Sequence, residues 1–354
     1  MRVAKEGDGL EALVRAAVPL CREAERLRPR RGPGRKPTVP DWVLAVLIMA
    51  ATAQRRKSKS AQYRFLHGRR AVLGVWLGTE HFPGRTQYFD RFRRAHRLLQ
   101  VALELQGRRA LARGWTDARA AAVDKSLVPS RGAPWHRRDR VRGHVPRGVD
   151  VEATWTFSEY HGWLEGYGYE VVVSAGKSGP VWPLVASVDP AHVREPRTAP
   201  AKLRRLPRQV RYVLADSGYD TNDLAELIEY DAAGRRSGRR FVCPLQERNP
   251  TRRSATPPRQ SRARRLRRKH RDERREWLRR PFGRRLYARR SVTVEPFNEW
   301  FKTLFELHDR AWHRGLDNNR TQILAALFTY QLLLAYNRRR GRNNAQVSWI
   351  LDGL

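Results

Sequence analysis

ARAAAVDKSLV, residues 118–128, is the stretch on which the fold turns. Its apolar run has the length of a buried strand and is interrupted by one acid, Asp124. Before it the apolar periodicity is helical. Leu10, Leu13, Val14, Ala17 and Cys21 predict a helix over 8–27. VPDWVLAVLIMAATAQRR (39–56) predicts a buried helix with Asp41 as its cap. SKSAQYRFLHGRRAVLGVWLG (58–78) reads as one or two short helices, and residues 82–115 as a turn followed by one long amphipathic helix. A helix-turn-helix fits 58–100, but no spacing requires it.

After residue 118 the pattern becomes one of strands. GYGYEVVVSA (166–175) and VWPLVASVD (181–189) predict two strands joined by a GKSG turn. RQVRYVLADSGY (208–219) predicts a fourth strand, TNDLAELIEY (221–230) a helix and RRFVCPLQ (239–246) a fifth strand. Residues 251–290 hold 18 Lys+Arg and three acids, and read as an insertion or linker that is partly helical at best. EPFNEWFKTLFELHDRAWHR (295–314) returns to helix, and an apolar helix covers about 319–338. This is the element order of an α/β, ribonuclease-H-like mixed sheet with flanking helices, preceded by a helical N-terminal region. The expected organisation is a helical DNA-binding region at 1–115 and a catalytic domain at 116–314, with a basic insertion at about 247–288. A C-terminal helix and tail follow at 315–354. His161, Trp155, Phe157, Tyr160, Trp163, Tyr167 and Tyr169 are expected to pack on the sheet face.

The charge points to a partner. Lys+Arg number 72 against 35 Asp+Glu, a net charge of +37, while 40% of residues are hydrophobic. The chain is therefore folded rather than disordered, and a polyanion, first of all nucleic acid, is its expected partner. Only nine of the cations are Lys. Arg suits bidentate phosphate contacts, although GC-rich codons also favour it. RLRPRRGPGRKP (26–37) is a basic arm that either tracks a minor groove or is a solvated linker. Cys21 and Cys243 show neither disulfide nor zinc spacing. No signal peptide or membrane-spanning stretch is evident, so a cytoplasmic, nucleoid-associated protein is expected.

Three acids fall at element ends: Asp124, Asp216 in LADSGYD and Glu295 in VEPFNEWFK. Each alone reads as a turn or cap residue. In an open sheet, strand ends at one edge converge with the covering helices, so the three can meet. On so basic a chain, gathered carboxylates imply a bound cation. Three oxygen donors suit Mg²⁺, with Mn²⁺ as an alternative, and phosphodiester chemistry.

VDKS, LADSGYD and the stretch Tyr287–Lys302 together resemble the DDE transposases of bacterial insertion sequences, specifically the family-four-like group with a Tyr-Arg-Glu-Lys signature. GWLEGYGYEVVV (162–173) and RGPGRKPTVPDWVLAVLI (31–48) are similar to other parts of that family. The family spacing is kept between Glu295 and Lys302. One extra residue separates Arg290 from Glu295, which leaves Arg289 a rival to Arg290. The resemblance implies that Asp124, Asp216 and Glu295 are catalytic and hold the metal. It also implies that Tyr287, Arg290 and Lys302 contact DNA. Lys302 has an alternative as a helix-surface ion-pair partner of Glu299. Arg264, Arg265, Arg267 and Arg268 in the basic stretch are candidate phosphate contacts, and the same stretch also reads as a solvated loop. Trp277 either stacks on an unpaired base or anchors a helix. The implied reaction cuts and rejoins double-stranded DNA at terminal inverted repeats and target sites, through a homodimer in the DNA complex. The alternatives are a noncatalytic DNA-binding derivative and a nuclease without strand transfer.

Overall fold

The structure, a computed structural model, describes residues 8–28, 37–160, 162–246 and 262–354. Residues 1–7, residues 29–36 of the basic arm, His161 and the segment 247–261 lie outside the described residues. The N-terminal helices are α1 (Asp8–Leu27), α2 (Asp41–Ala53), α3 (Lys59–Gly68), α4 (Arg70–Leu77), α5 (Arg85–Phe92) and α6 (His96–Ala112). Every residue of α2 from Trp42 to Ala53 is buried, as its uniformly apolar sequence requires. Asp41 does not cap it, because the cap position is Pro40. Asp41 instead opens the first turn and pairs with Arg91 at 2.5 Å and Arg28 at 3.3 Å.

The single long helix expected within 82–115 is broken at 93–95. The reason is tertiary. Thr321 donates its hydroxyl to the Phe92 carbonyl (2.7 Å), and its oxygen accepts the His96 N–H (3.1 Å). One distant side chain thus satisfies both sides of the break.

The sheet has six strands: β1 (Ala120–Pro129), β2 (Thr154–Ser158), β3 (Gly162–Ser174), β4 (Pro183–Pro190), β5 (Tyr212–Leu214) and β6 (Arg240–Val242). β1 lies between β3, antiparallel, and β5, parallel, and β6 extends the parallel side. The free edge of β3 is shared end to end. β4 pairs with Tyr167–Val173, and β2 pairs with Gly162–Gly166. This mixed α/β arrangement is compatible with a ribonuclease-H-like domain. β2 was not anticipated. Its half-exposed TWTFS carries no buried face to betray it. The 208–219 strand shrinks to three residues, because Asp216 leaves the ladder to cap a 3-10 turn over Ser217–Tyr219.

The remaining helices are α7 (Arg137–Val141), α8 (Glu195–Leu203), α9 (Asn222–Glu229), α10 (Arg262–Arg279), α11 (Pro281–Tyr287), α12 (Val294–Leu304), α13 (Leu316–Arg339) and α14 (Ser348–Asp352). The basic stretch is thus well-formed helix from Arg262, not a loop. α12 ends ten residues before the expected 314. Glu306 adopts φ 50°. Leu307 N–H then bonds the Lys302 carbonyl (2.9 Å), and Glu306 N–H bonds that of Thr303 (3.3 Å). This is a Schellman stop made without glycine, so no sequence signal announced it.

α13 is buried over most of its length and packs against α2, α6 and β4. It joins the N-terminal helices and the sheet into one continuous core. Gln331 donates both to the Leu103 carbonyl (3.0 Å) and to that of Pro183 (2.7 Å), tying α6 and β4 to the same side chain.

The two faces of the sheet carry different chemistry. Asp124, Ser126 and Val128 alternate onto the face covered by α12, opposite Val171, Tyr169 and Tyr167. Lys125 turns to the other face and donates to the carbonyls of Ala191 and Val193, each at 2.7 Å. On that face Glu170 and Lys202 form a fully buried pair at 3.0 Å that docks α8. Gly168, across from Leu127, leaves the room that the Lys125 stem fills.

Candidate active site

Asp124 is held by the extended backbone of β1, opposite Val171 of β3. Asp216 follows β5, and its side chain caps the 3-10 turn by accepting the Gly218 N–H at 2.9 Å. Glu295 lies in the first turn of α12, where the helix dipole favours an anion. The three come together. Arg290, in the turn between α11 and α12, donates Nη2 to Asp124 (2.7 Å) and Nη1 to Glu295 (2.7 Å). Its Nη2 is also 3.4 Å from Asp216. One guanidinium therefore touches all three carboxylates, and it is Arg290 rather than Arg289 that does so. The Arg289 carbonyl accepts the Thr293 hydroxyl at 2.6 Å.

The cluster is buried on one side and open on the other. The side chains of Arg290 and Asp124 are 12% and 15% exposed, whereas Asp216 and Glu295 reach 42% and 52%. Burial pushes the Asp124 carboxyl up to about 7. Arg290 opposes that rise, and Asp216 and Glu295 add to it. Burial alone would lower the Arg290 pKa, but Asp124, Asp216, Tyr287 and Glu295 around it raise it.

Among the described residues, no group of His, Cys, Asp or Glu stands arranged to hold a metal ion, because Arg290 occupies the point of convergence. The donor set nevertheless fits a hard dication. All three groups are carboxylates, two face solvent, and the single guanidinium does not cancel their charge.

Residues not singled out from the sequence complete the site. Asn298, one turn after Glu295, is 4% exposed and donates Nδ2 to the second oxygen of Asp124 at 2.8 Å. Its only sequence signal is its position on the Glu295 face of α12. Cys243, just past β6, donates its thiol to the Asp216 carbonyl at 2.9 Å. Asp220, the last residue of LADSGYD, is buried and holds α10. It pairs with Arg271 at 2.7 Å and Arg274 at 3.5 Å.

The other expected residues are distributed around this centre. Tyr287 is half-buried beside Arg290 at the end of α11, where burial raises its pKa. Lys302 is 3% exposed, with Nζ 3.5 Å from Glu299. Arg265, Arg267 and Arg268 are exposed on α10, and Arg267 pairs with Glu226 at 3.1 Å. Arg264 belongs to α10, but its side chain lies outside the described residues. Trp277 stacks on Tyr212 with centroids 6.1 Å apart and anchors α10 on β5.

The aromatic segment departs from expectation. Tyr167 and Tyr169 are buried on the sheet, but Phe157, Tyr160 and Trp163 are 59%, 83% and 71% exposed. β1 pairs with β3 only from Gly166 onward, so Phe157 and Trp163 lie past the end of β1 and outside the core.

Residues 115–332 match the protein-family model described as a transposase DDE domain, which covers more than half of the chain. Searches of curated proteins and of solved structures each gave no match.

Proposed function

The chain belongs to the transposase DDE-domain family, and from that premise we propose that it cuts and rejoins DNA at the inverted-repeat ends of an insertion sequence by two-metal phosphoryl transfer. The observation that carries this reading is the meeting of Asp124, Asp216 and Glu295 on one guanidinium. A bound pair of Mg²⁺ or Mn²⁺ ions would activate the attacking oxygen and stabilise the leaving one.

The protein's part is placement. β1 fixes Asp124, whose short side chain has little freedom, and Asn298 holds one of its oxygens. The 3-10 turn orients Asp216, while Glu295 reaches in from α12. Asp124, Asp216 and Glu295 are the ligands in this reading, and the solvent-facing side of the cluster is where a phosphodiester approaches. Tyr287 and Arg290 flank that approach, and the exposed Arg265, Arg267 and Arg268 of α10 supply phosphate contacts. Two DNA ends must be joined, so a homodimer forms on DNA.

Asp124→Asn, Asp216→Asn and Glu295→Gln are each expected to remove Mg²⁺-dependent nicking of plasmid DNA while leaving DNA binding in place. Undiminished nicking by any of the three would remove that residue from the assignment. A labelled 3′-hydroxyl strand offered with a target duplex separates strand transfer from cleavage alone.

A further inference from the structure

The β2–β3 hairpin carries two exposed aromatic rings, Phe157 and Trp163. Phe157 and Trp163 face each other across it as a register pair, with ring centroids 5.6 Å apart in an edge-to-face contact. At 59% and 71% exposed, they leave a large π surface in water. The base of the hairpin is firmly held. Trp155 donates Nε1 to the Trp135 carbonyl (2.9 Å), and Glu165 accepts the Trp135 N–H (2.7 Å) and an ion pair from Arg140. The segment packed there is cationic, and Arg138, Arg142 and Arg147 are exposed on it.

We propose, resting on the DNA-processing function, that this hairpin is a stacking wedge that inserts Trp163 and Phe157 against unpaired or unstacked bases of the bound DNA. Exposed rings on a hairpin whose base packs against a cationic segment match a polyanion with π faces. A second copy of the chain is the poorer fit, because an isologous contact would bring the same cations against themselves. The strand register also sets a distance. Asp124 pairs with Val171, and Trp163 lies eight residues back along β3. At ~3.3 Å per residue that is about 26 Å from the catalytic carboxylates. It corresponds to roughly eight base pairs of duplex from the scissile phosphate.

The test uses the full-length protein and two fluorescent 30-base-pair duplexes, one fully paired and one with a central two-nucleotide mismatch. Binding is read by anisotropy over a salt series. Phe157→Ala/Trp163→Ala should weaken binding to the mismatched duplex by roughly 5- to 150-fold per stacked base. The paired duplex should be affected less. The slope of affinity against salt should not change, because rings release no counterions. Phe157→Tyr/Trp163→Tyr should restore binding. Equal binding by wild type and the alanine variant overturns the wedge and leaves the function untouched. A wild-type dimer that the alanine variant converts to monomer, without loss of DNA affinity, overturns it in favour of a self-association surface. Wild type that binds neither duplex removes the DNA reading itself.

Discussion

Arg290 is what allows three acids to share one small space. Without it, Asp124 would be a buried carboxylate facing two others, an arrangement that drives protonation or separation. A metal ion would compete for the same oxygens. Arg290→Gln is therefore expected to raise the affinity for Mn²⁺, by about tenfold for each 1.4 kcal/mol of repulsion removed. Mn²⁺ EPR titration measures this directly, and unchanged or weaker binding would contradict the competition. At this scale Asp124, Asp216 and Glu295 were legible, because each combines an acid with a strand or helix end. Asn298 was not. An amide one turn past Glu295 acquires meaning only when β1 is known to lie across from it.

Among the elements, α10 shows how a charge run becomes architecture. Its composition alone reads as a phosphate-contacting stretch or a solvated loop, yet one face is docked. Arg274 is 4% exposed and pairs with Asp220, Tyr230 stacks on His270 at 5.2 Å, and Trp277 lies on Tyr212. Asp220→Ala leaves the buried Arg274 charge uncompensated and is expected to cost about 3–5 kcal/mol. Denaturant unfolding reads that loss, and faster proteolysis within α10 would locate it. An Asp220→Ala protein as stable as wild type would show that the stacked rings hold α10 without the pair. Helix stops were equally hard to read in advance. α12 ends on Glu306 in the left-handed region, where residues other than glycine are uncommon.

At the level of the whole molecule, the N-terminal helices are joined to α13 and the loop before it through a buried polar network. Gln62 donates to Gln322 (3.1 Å), Tyr88 to Gln62 (2.8 Å) and Gln322 to Thr52 (3.2 Å), with His313 at 3.4 Å from Gln322. Burial, with Lys59 nearby, lowers the His313 pKa from 6.5 to about 3. The unfolded chain takes up a proton below pH 6.5 that the folded one refuses until about pH 3. The His313 contribution to stability is therefore complete above pH 6.5 and is lost as pH drops through that window, by up to about 1.4 kcal/mol per unit, while Asp124, raised to about 7, contributes the opposite slope above pH 3.8. Thermal melts of wild type and His313→Gln from pH 7 to 4 should show the wild type losing stability relative to the variant as pH falls, and a constant difference between the two would remove His313 from the account. The net charge of +37 gives a second global expectation. If about 6–10 phosphates are contacted, DNA affinity should drop by roughly 10³–10⁵ between 50 and 200 mM salt. A flat dependence would mean that the cations are not on the DNA.

By itself the sequence determined the helical start, the strands around Asp124 and Asp216, the amphipathic α12 and the demand for a polyanionic partner. Each of these rests on local periodicity or on summed charge, which need no partner to be read. Only the tertiary structure decided which arginine meets the acids, that α10 is docked, that α13 binds both regions, and that the β2–β3 rings stay in water. Those outcomes depend on contacts between residues far apart in the chain, such as Arg290 with Asp124 and Thr321 with Phe92, and no local pattern encodes them.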